Sequence, residues 1–99
     1  MLYALIGEDA PGTLDTRMAV RPGHLARLQA LQAEGRLLLA GPCPAIDALD
    51  PGPAGFTGSV IIAEFPCLAD AEAWAAADPY MTTGVFTRCT VKPFRKTLP

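Results

Sequence analysis

The sequence predicts an α+β fold of the ferredoxin-like kind, a four-stranded antiparallel sheet with two helices on one face. Three observations predict it. Four apolar runs, Leu2–Gly7, Leu37–Ala40, Ser59–Phe65 and Val85–Lys92, have strand character. Two stretches, Arg21–Arg36 and Leu68–Ala77, have helical character. Their order is βαββαβ, which in the split-βαβ arrangement sets the first two strands parallel with the third between them. The 99 residues suffice for one such two-layer core, so residues 1–99 are expected to form a single domain.

Each element has its own signal. Leu2–Gly7 is a short apolar run, and Glu8–Asp15 holds the turn Asp9-Ala-Pro-Gly. Thr16–Val20 leads into the first helix and can itself be helical. In Arg21–Arg36, Pro22 suits the first turn and Gly35 the left-handed position that ends a helix. Leu25, Leu28 and Gln32 form one line on it, and His24, Leu28 and Leu31 the neighbouring line. The only histidine therefore stands at the edge of the buried stripe, in what reads as the first turn. Leu37–Ala40 is a strand ended by Gly41-Pro42. Gly41–Gly58 is dense in proline and glycine and reads as one long loop or arm. Ser59–Phe65 is the clearest strand. Leu68–Ala77 is alanine-rich, with Asp70 and Glu72 favourable near its start and Pro79 stopping it near Asp78.

Composition narrows the function classes. The net charge is −2, which argues against a nucleic-acid or anionic-membrane partner. No run is long enough to span a bilayer, so no membrane partner is expected and a cytoplasmic location is the default. Cys43, Cys67 and Cys89 are widely spaced, and a single histidine completes no zinc pattern with them. Neither metal nor organic cofactor is expected.

Strands one and three are apolar on both faces: Leu2, Ala4 and Ile6 against Tyr3 and Leu5, and Ile61, Ala63 and Phe65 against Val60 and Ile62. Two helices cover one face only. The other leaves a footprint of roughly 300 Å², which a second sheet from an identical chain would bury. A homodimer through the open sheet face is the expected partner arrangement.

The topology also gathers a site. His24, Ser59, Asp78, Tyr80, Glu8, Asp9 and the long loop fall at one edge of the sheet. Asp78 is about 20° from Ala71 and 40° from Trp74 around its helix, so it leans toward the sheet as His24 does. An aspartate that holds an imidazole fixes its tautomer and makes it a better base. The first helix's N-terminus would oppose the imidazolium that Asp78 favours. A plainer reading also exists, since Asp before Pro is a common helix stop. Ser59, Tyr80 and Arg21 are the substrate-binding candidates beside the pair. Cys43 reads as an inert, partly buried thiol, and Trp74 as a core anchor.

Several segments together resemble the YciI family: Arg21-Pro-Gly-His-Leu-Ala-Arg-Leu, Glu34-Gly-Arg-Leu-Leu-Leu-Ala-Gly-Pro, Asp50-Pro-Gly-Pro-Ala-Gly-Phe-Thr-Gly-Ser, Ala63-Glu-Phe, Asp78-Pro-Tyr and Val91-Lys-Pro-Phe. The resemblance spans nearly the whole chain. It implies a ferredoxin-like subunit of the dimeric α+β barrel group, with His24 and Asp78 matching the family's proposed catalytic dyad. That wider group includes muconolactone isomerases and cofactor-independent oxygenases. Cys67 departs from the pattern where a serine N-cap is usual, and Cys43 lies in a variable Gly-Pro-x-Pro segment. The expected function is an isomerase- or lyase-like proton transfer on a small-molecule ligand, with His24 as general base. The alternatives are a non-catalytic dimeric ligand-binding or regulatory protein and a cofactor-independent oxygenase.

Overall fold

Four strands form one antiparallel sheet in the order β2-β3-β1-β4. A computed structural model describes residues 1–99. The elements are β1 (Leu2–Asp9), α1 (Leu14–Ala33), β2 (Leu37–Pro44), β3 (Phe56–Glu64), α2 (Leu68–Ala76), α3 (Pro79–Thr82) and β4 (Phe86–Phe94), with a 3₁₀ turn at Gly52–Ala54. β1 pairs antiparallel with β3 and β4, and β2 pairs with β3, so β1 and β2 run parallel with β3 between them. This is the ferredoxin-like arrangement that the sequence predicts.

The main core lies between the sheet and the helices. Tyr3, Leu5, Ile61, Ala63 and Phe65 meet Leu28 and Leu31 of α1 and Ala71 and Ala75 of α2. The alternate strand residues face away from the helices. Ala4 stands opposite Ile62 and Ile6 opposite Val60 on that open face, where Ile6 and Leu39 are exposed. No helix is long and apolar enough to cross a membrane.

Three departures from the predicted elements bear on the site, each with a physical reason. α1 starts at Leu14, so Pro22 lies inside it rather than in its first turn. The missing N–H frees the Met18 carbonyl, but Met18 and Pro22 are both exposed, so the loss falls on the solvent side of the helix, where it costs least. The helix continues because Arg17, His24, Leu28 and Leu31 are buried along one stripe. Its C-terminus is as expected. Gly35 has φ 72°, and the N–H groups of Gly35 and Arg36 donate to Gln32 and Leu31.

β2 runs through Gly41 and Pro42 to Pro44, where a loop was expected. β2 is an edge strand, so a proline there forfeits no ladder hydrogen bond that the sheet needs. The same holds for Pro93 in β4, the other edge, which extends to Phe94. β3 therefore starts at Phe56, and the loop shrinks to residues 45–55. Gly58 of β3 crosses β1 so closely that a Cβ there would collide with the Gly7 carbonyl.

Asp78 is the third correction. α2 ends at Ala76, and Asp78 is the N-cap of α3, its side chain accepting from the Tyr80 N–H. It stands at a helix start that favours a carboxylate, not at a C-terminus that opposes one. Cys67 caps α2 without a side-chain hydrogen bond, in line with the poor capping expected of a thiol.

Candidate active site

α1 carries Arg17, Arg21, His24 and Leu28 at intervals of four, three and four residues, which places them along one face. That face looks across at the end of β2 and the start of β3. The cleft between them has a volume of about 140 Å³. Arg17, Arg21, His24, Ser59 and Tyr80 line it, and Ala40, Gly41 and Pro42 form its far wall. Four of the five expected site residues thus share one cleft, and Asp78 stands behind His24. The long loop does not line the cleft. Of its wall, Ala40 belongs to the expected strand, and Gly41 and Pro42 to the part of β2 that the sequence suggests as loop.

His24 Nδ1 lies 2.9 Å from both Asp78 oxygens. Both residues are buried, at 6% and 3% exposure, so the bond is sheltered from competing water. An acceptor-only carboxylate fixes the proton on Nδ1 and leaves Nε2 as the basic nitrogen. Nε2 has no partner within the chain, and no buried polar side-chain atom is left unpaired, so it opens to the cleft. His24 lies in the third turn of α1, about 15 Å from its start. The expected opposition of the helix N-terminus to its cation therefore does not apply.

Asp78 is held from three sides. His24 donates to it, Arg27 Nη1 donates to Oδ2 at 3.0 Å, and the Tyr80 N–H donates to Oδ1 at 2.9 Å. Burial alone would raise its pKa. The hydrogen bonds from His24 and Tyr80, with the charges of His24 and Arg27, outweigh burial and hold the carboxyl below its ordinary value. Asp78 is therefore ionised at neutral pH. Arg27 is itself braced by the Trp74 carbonyl at 2.8 Å and lies over the Trp74 ring.

Tyr80 stacks on His24 with ring centroids 4.0 Å apart and planes 17° apart. The Arg17 guanidinium lies 4.5 Å from the same phenol ring. Burial raises the phenol's pKa, against the pull of Arg17 and Arg21, so Tyr80 keeps its proton at neutral pH and can donate it.

Arg17 and Arg27 were not among the sequence candidates. Arg17 is 3% exposed. It makes a two-pronged pair with Asp9, and Nη2 also donates to the Gly58 carbonyl and to Ser59 Oγ. A buried guanidinium is tolerable only with such pairing. The signal lay in the seven-residue step from Arg17 to His24, visible once the helix is extended back past Pro22. Asp9, placed at the site edge from sequence, serves Arg17. Glu8 turns outward to Arg88.

Fold and cleft together define the class: a ferredoxin-like α+β protein with a buried histidine–aspartate pair opening into a cleft of cationic and hydroxyl groups. The sequence profile of the YCII-related domain matches residues 1–95, and the chain belongs to that family. It is 58% identical over 96 residues to the protein YciI of Escherichia coli, covering 97% of this chain and 98% of that protein. It is 56% identical, over the same shares, to an uncharacterised protein of Haemophilus influenzae. Among solved structures it is similar to the 5-chloro-2-hydroxyhydroquinone dehydrochlorinase TftG of Burkholderia phenoliruptrix, in complex with 2,5-dihydroxybenzoquinone. That match has a TM-score of 0.83 and 26% identity, over 96% of this chain and 94% of that one.

Proposed function

We propose that the cleft is the active site of a small-molecule enzyme that moves protons with its own side chains. His24 is the general base and Asp78 the residue that orients it. The observation that carries this reading is the His24–Asp78 bond, which aims a free imidazole nitrogen into a cleft otherwise short of bases. In the proposed step His24 Nε2 takes a proton from a substrate carbon. Asp78, ionised, stabilises the imidazolium that forms. The electron pair left on carbon either shifts and is reprotonated elsewhere, which is an isomerisation, or expels a leaving group, which is a lyase reaction. The Tyr80 hydroxyl and Ser59 Oγ donate to the oxygen on which charge collects, and Arg21 holds the substrate at the rim.

The likeness to a dehydrochlorinase favours the lyase form, since loss of HCl pairs a removed proton with a departing chloride. A two-fold dimer through the open sheet face completes the proposal, because the apolar residues of β1 and β3 on that face are otherwise left to water.

The test is a screen of pooled small metabolites, wild type beside His24→Ala. General-base catalysis typically contributes 10²–10⁴-fold, so a compound consumed by the wild type should persist about that much longer with the variant. A compound that binds both proteins and is turned over by neither would support the ligand-binding alternative.

A further inference from the structure

The cleft has a charge sign and a size that the proton-transfer reading does not use. No carboxylate lines it, whereas two arginines and a histidine do. Arg17, Arg27, Arg36 and Arg88 each have a carboxylate partner. Arg21 has none, and it lies exposed at the cleft rim. Arg17 spends Nε and Nη2 on Asp9, Gly58 and Ser59. Its remaining amino group, Nη1, has no carboxylate or carbonyl partner and is not sealed off from the cleft, and the guanidinium also reaches the Tyr80 hydroxyl. Ser59 Oγ accepts from Arg17, so its own proton is free to be donated. The free polar groups beside His24 Nε2 are therefore N–H and O–H donors on a cationic wall. The volume, about 140 Å³, is close to that of a cavity that holds one benzene ring, about 150 Å³.

We infer that the cleft binds a small organic anion no larger than about one six-membered ring. Its charged oxygens sit on Arg17 Nη1, Arg21 and Ser59 Oγ, and its body sits against His24. This deepens the proposed function, on which it rests for the identity of the site. Arg17 is the fixed part of the subsite, since Asp9 and Ser59 hold it rigidly. Arg21 is the mobile part that closes on the charge.

The probe is benzoate, with benzamide as its neutral counterpart of the same shape. Binding is followed through the NMR signals of the single histidine ring. Benzoate should shift them, and benzamide should bind at least about tenfold more weakly, the loss expected when a hydrogen bond to a charged group is removed. Added salt should weaken benzoate alone. Arg21→Gln should weaken benzoate about tenfold and leave benzamide where it was. Arg21 is exposed and unpaired, so that variant keeps the fold. Arg88→Gln, outside the cleft, should change nothing. Equal affinity for the two probes, no effect of Arg21→Gln, or no benzoate binding at tens of millimolar would each overturn the inference. Binding is read without turnover. Benzoate capture by a protein that never turns a substrate over would refute the proposed enzyme and leave the anion subsite standing.

Discussion

Asp78→Asn keeps the shape of the side chain and removes its charge. The carboxylate accepts from His24 at both oxygens, from Tyr80 N–H at Oδ1 and from Arg27 at Oδ2. An amide has one acceptor oxygen. Turned toward Tyr80, it sets its NH₂ against Arg27. Turned toward Arg27, it leaves the buried Tyr80 N–H facing another donor. The first arrangement costs less, because the Arg27 side chain is 25% exposed and can turn out to water. Removing one partner of a buried ion pair costs about 3–5 kcal/mol, and the escape of Arg27 points to the low end. A loss of about 3 kcal/mol, at roughly 4–8 °C per kcal/mol for a chain of this size, lowers Tm by roughly 12–24 °C. The pH dependence is the sharper readout. The folded-state pKa of Asp78 is depressed, so its stabilisation is present above the ordinary value of 3.8 and is lost as pH falls through the folded value. Denaturant titrations of both proteins should show the full gap at pH 7 and a closing gap below about pH 4. A gap that stays the same in acid, or a loss under about 1 kcal/mol at pH 7, would refute the view that a charged Asp78 ties α1 to α3.

Three further outcomes follow from the structure. Sedimentation at micromolar concentration should give twice the 10.4 kDa chain mass, and Ile62→Glu on the open face should give the single chain; a wild-type monomer would remove the face-to-face dimer. Gly58→Ala should destabilise more than Gly7→Ala, because its Cβ meets the Gly7 carbonyl whereas the other meets the Phe86 ring; a cost of at least about 1–3 kcal/mol is expected for Gly58→Ala, and the reverse order in denaturation would contradict the close crossing. Burial and the nearby Asp78 charge raise the Cys89 thiol's pKa, and Cys67 is exposed; alkylation at neutral pH should label Cys67 well before Cys89, and equal rates would contradict the burial of Cys89.

The strands and their order were legible because four apolar runs separated by two amphipathic stretches leave few arrangements. The meeting of His24 with Asp78 was legible from topology, since the first helix enters and the second leaves at the same edge of the sheet, and from the stripe that turns His24 toward the sheet. What was hidden depends on partners brought by the fold. The penalty of Pro22 is local, while the stripe through Arg17, His24, Leu28 and Leu31 that overrides it shows only when the helix already includes Arg17. Arg17 reads as a surface charge until β1 delivers Asp9 and β3 delivers Gly58 and Ser59. Pro42 and Pro44 read as loop residues until β2 is known to be an edge. Asp78 reads as a helix stop, and α3, a single turn, carries no periodic pattern to reveal it as a cap.

His24, as proposed, moves a proton to or from carbon in this cleft. Deuterium uptake tests it most directly. Pools of small organic acids are incubated with the protein in deuterated water, and C–H signals are followed by NMR. The wild type should exchange or convert at least one compound, and His24→Gln should slow that by about 10²-fold or more. Exchange at the same rate in His24→Gln, or none with the wild type across the pools, would contradict the account.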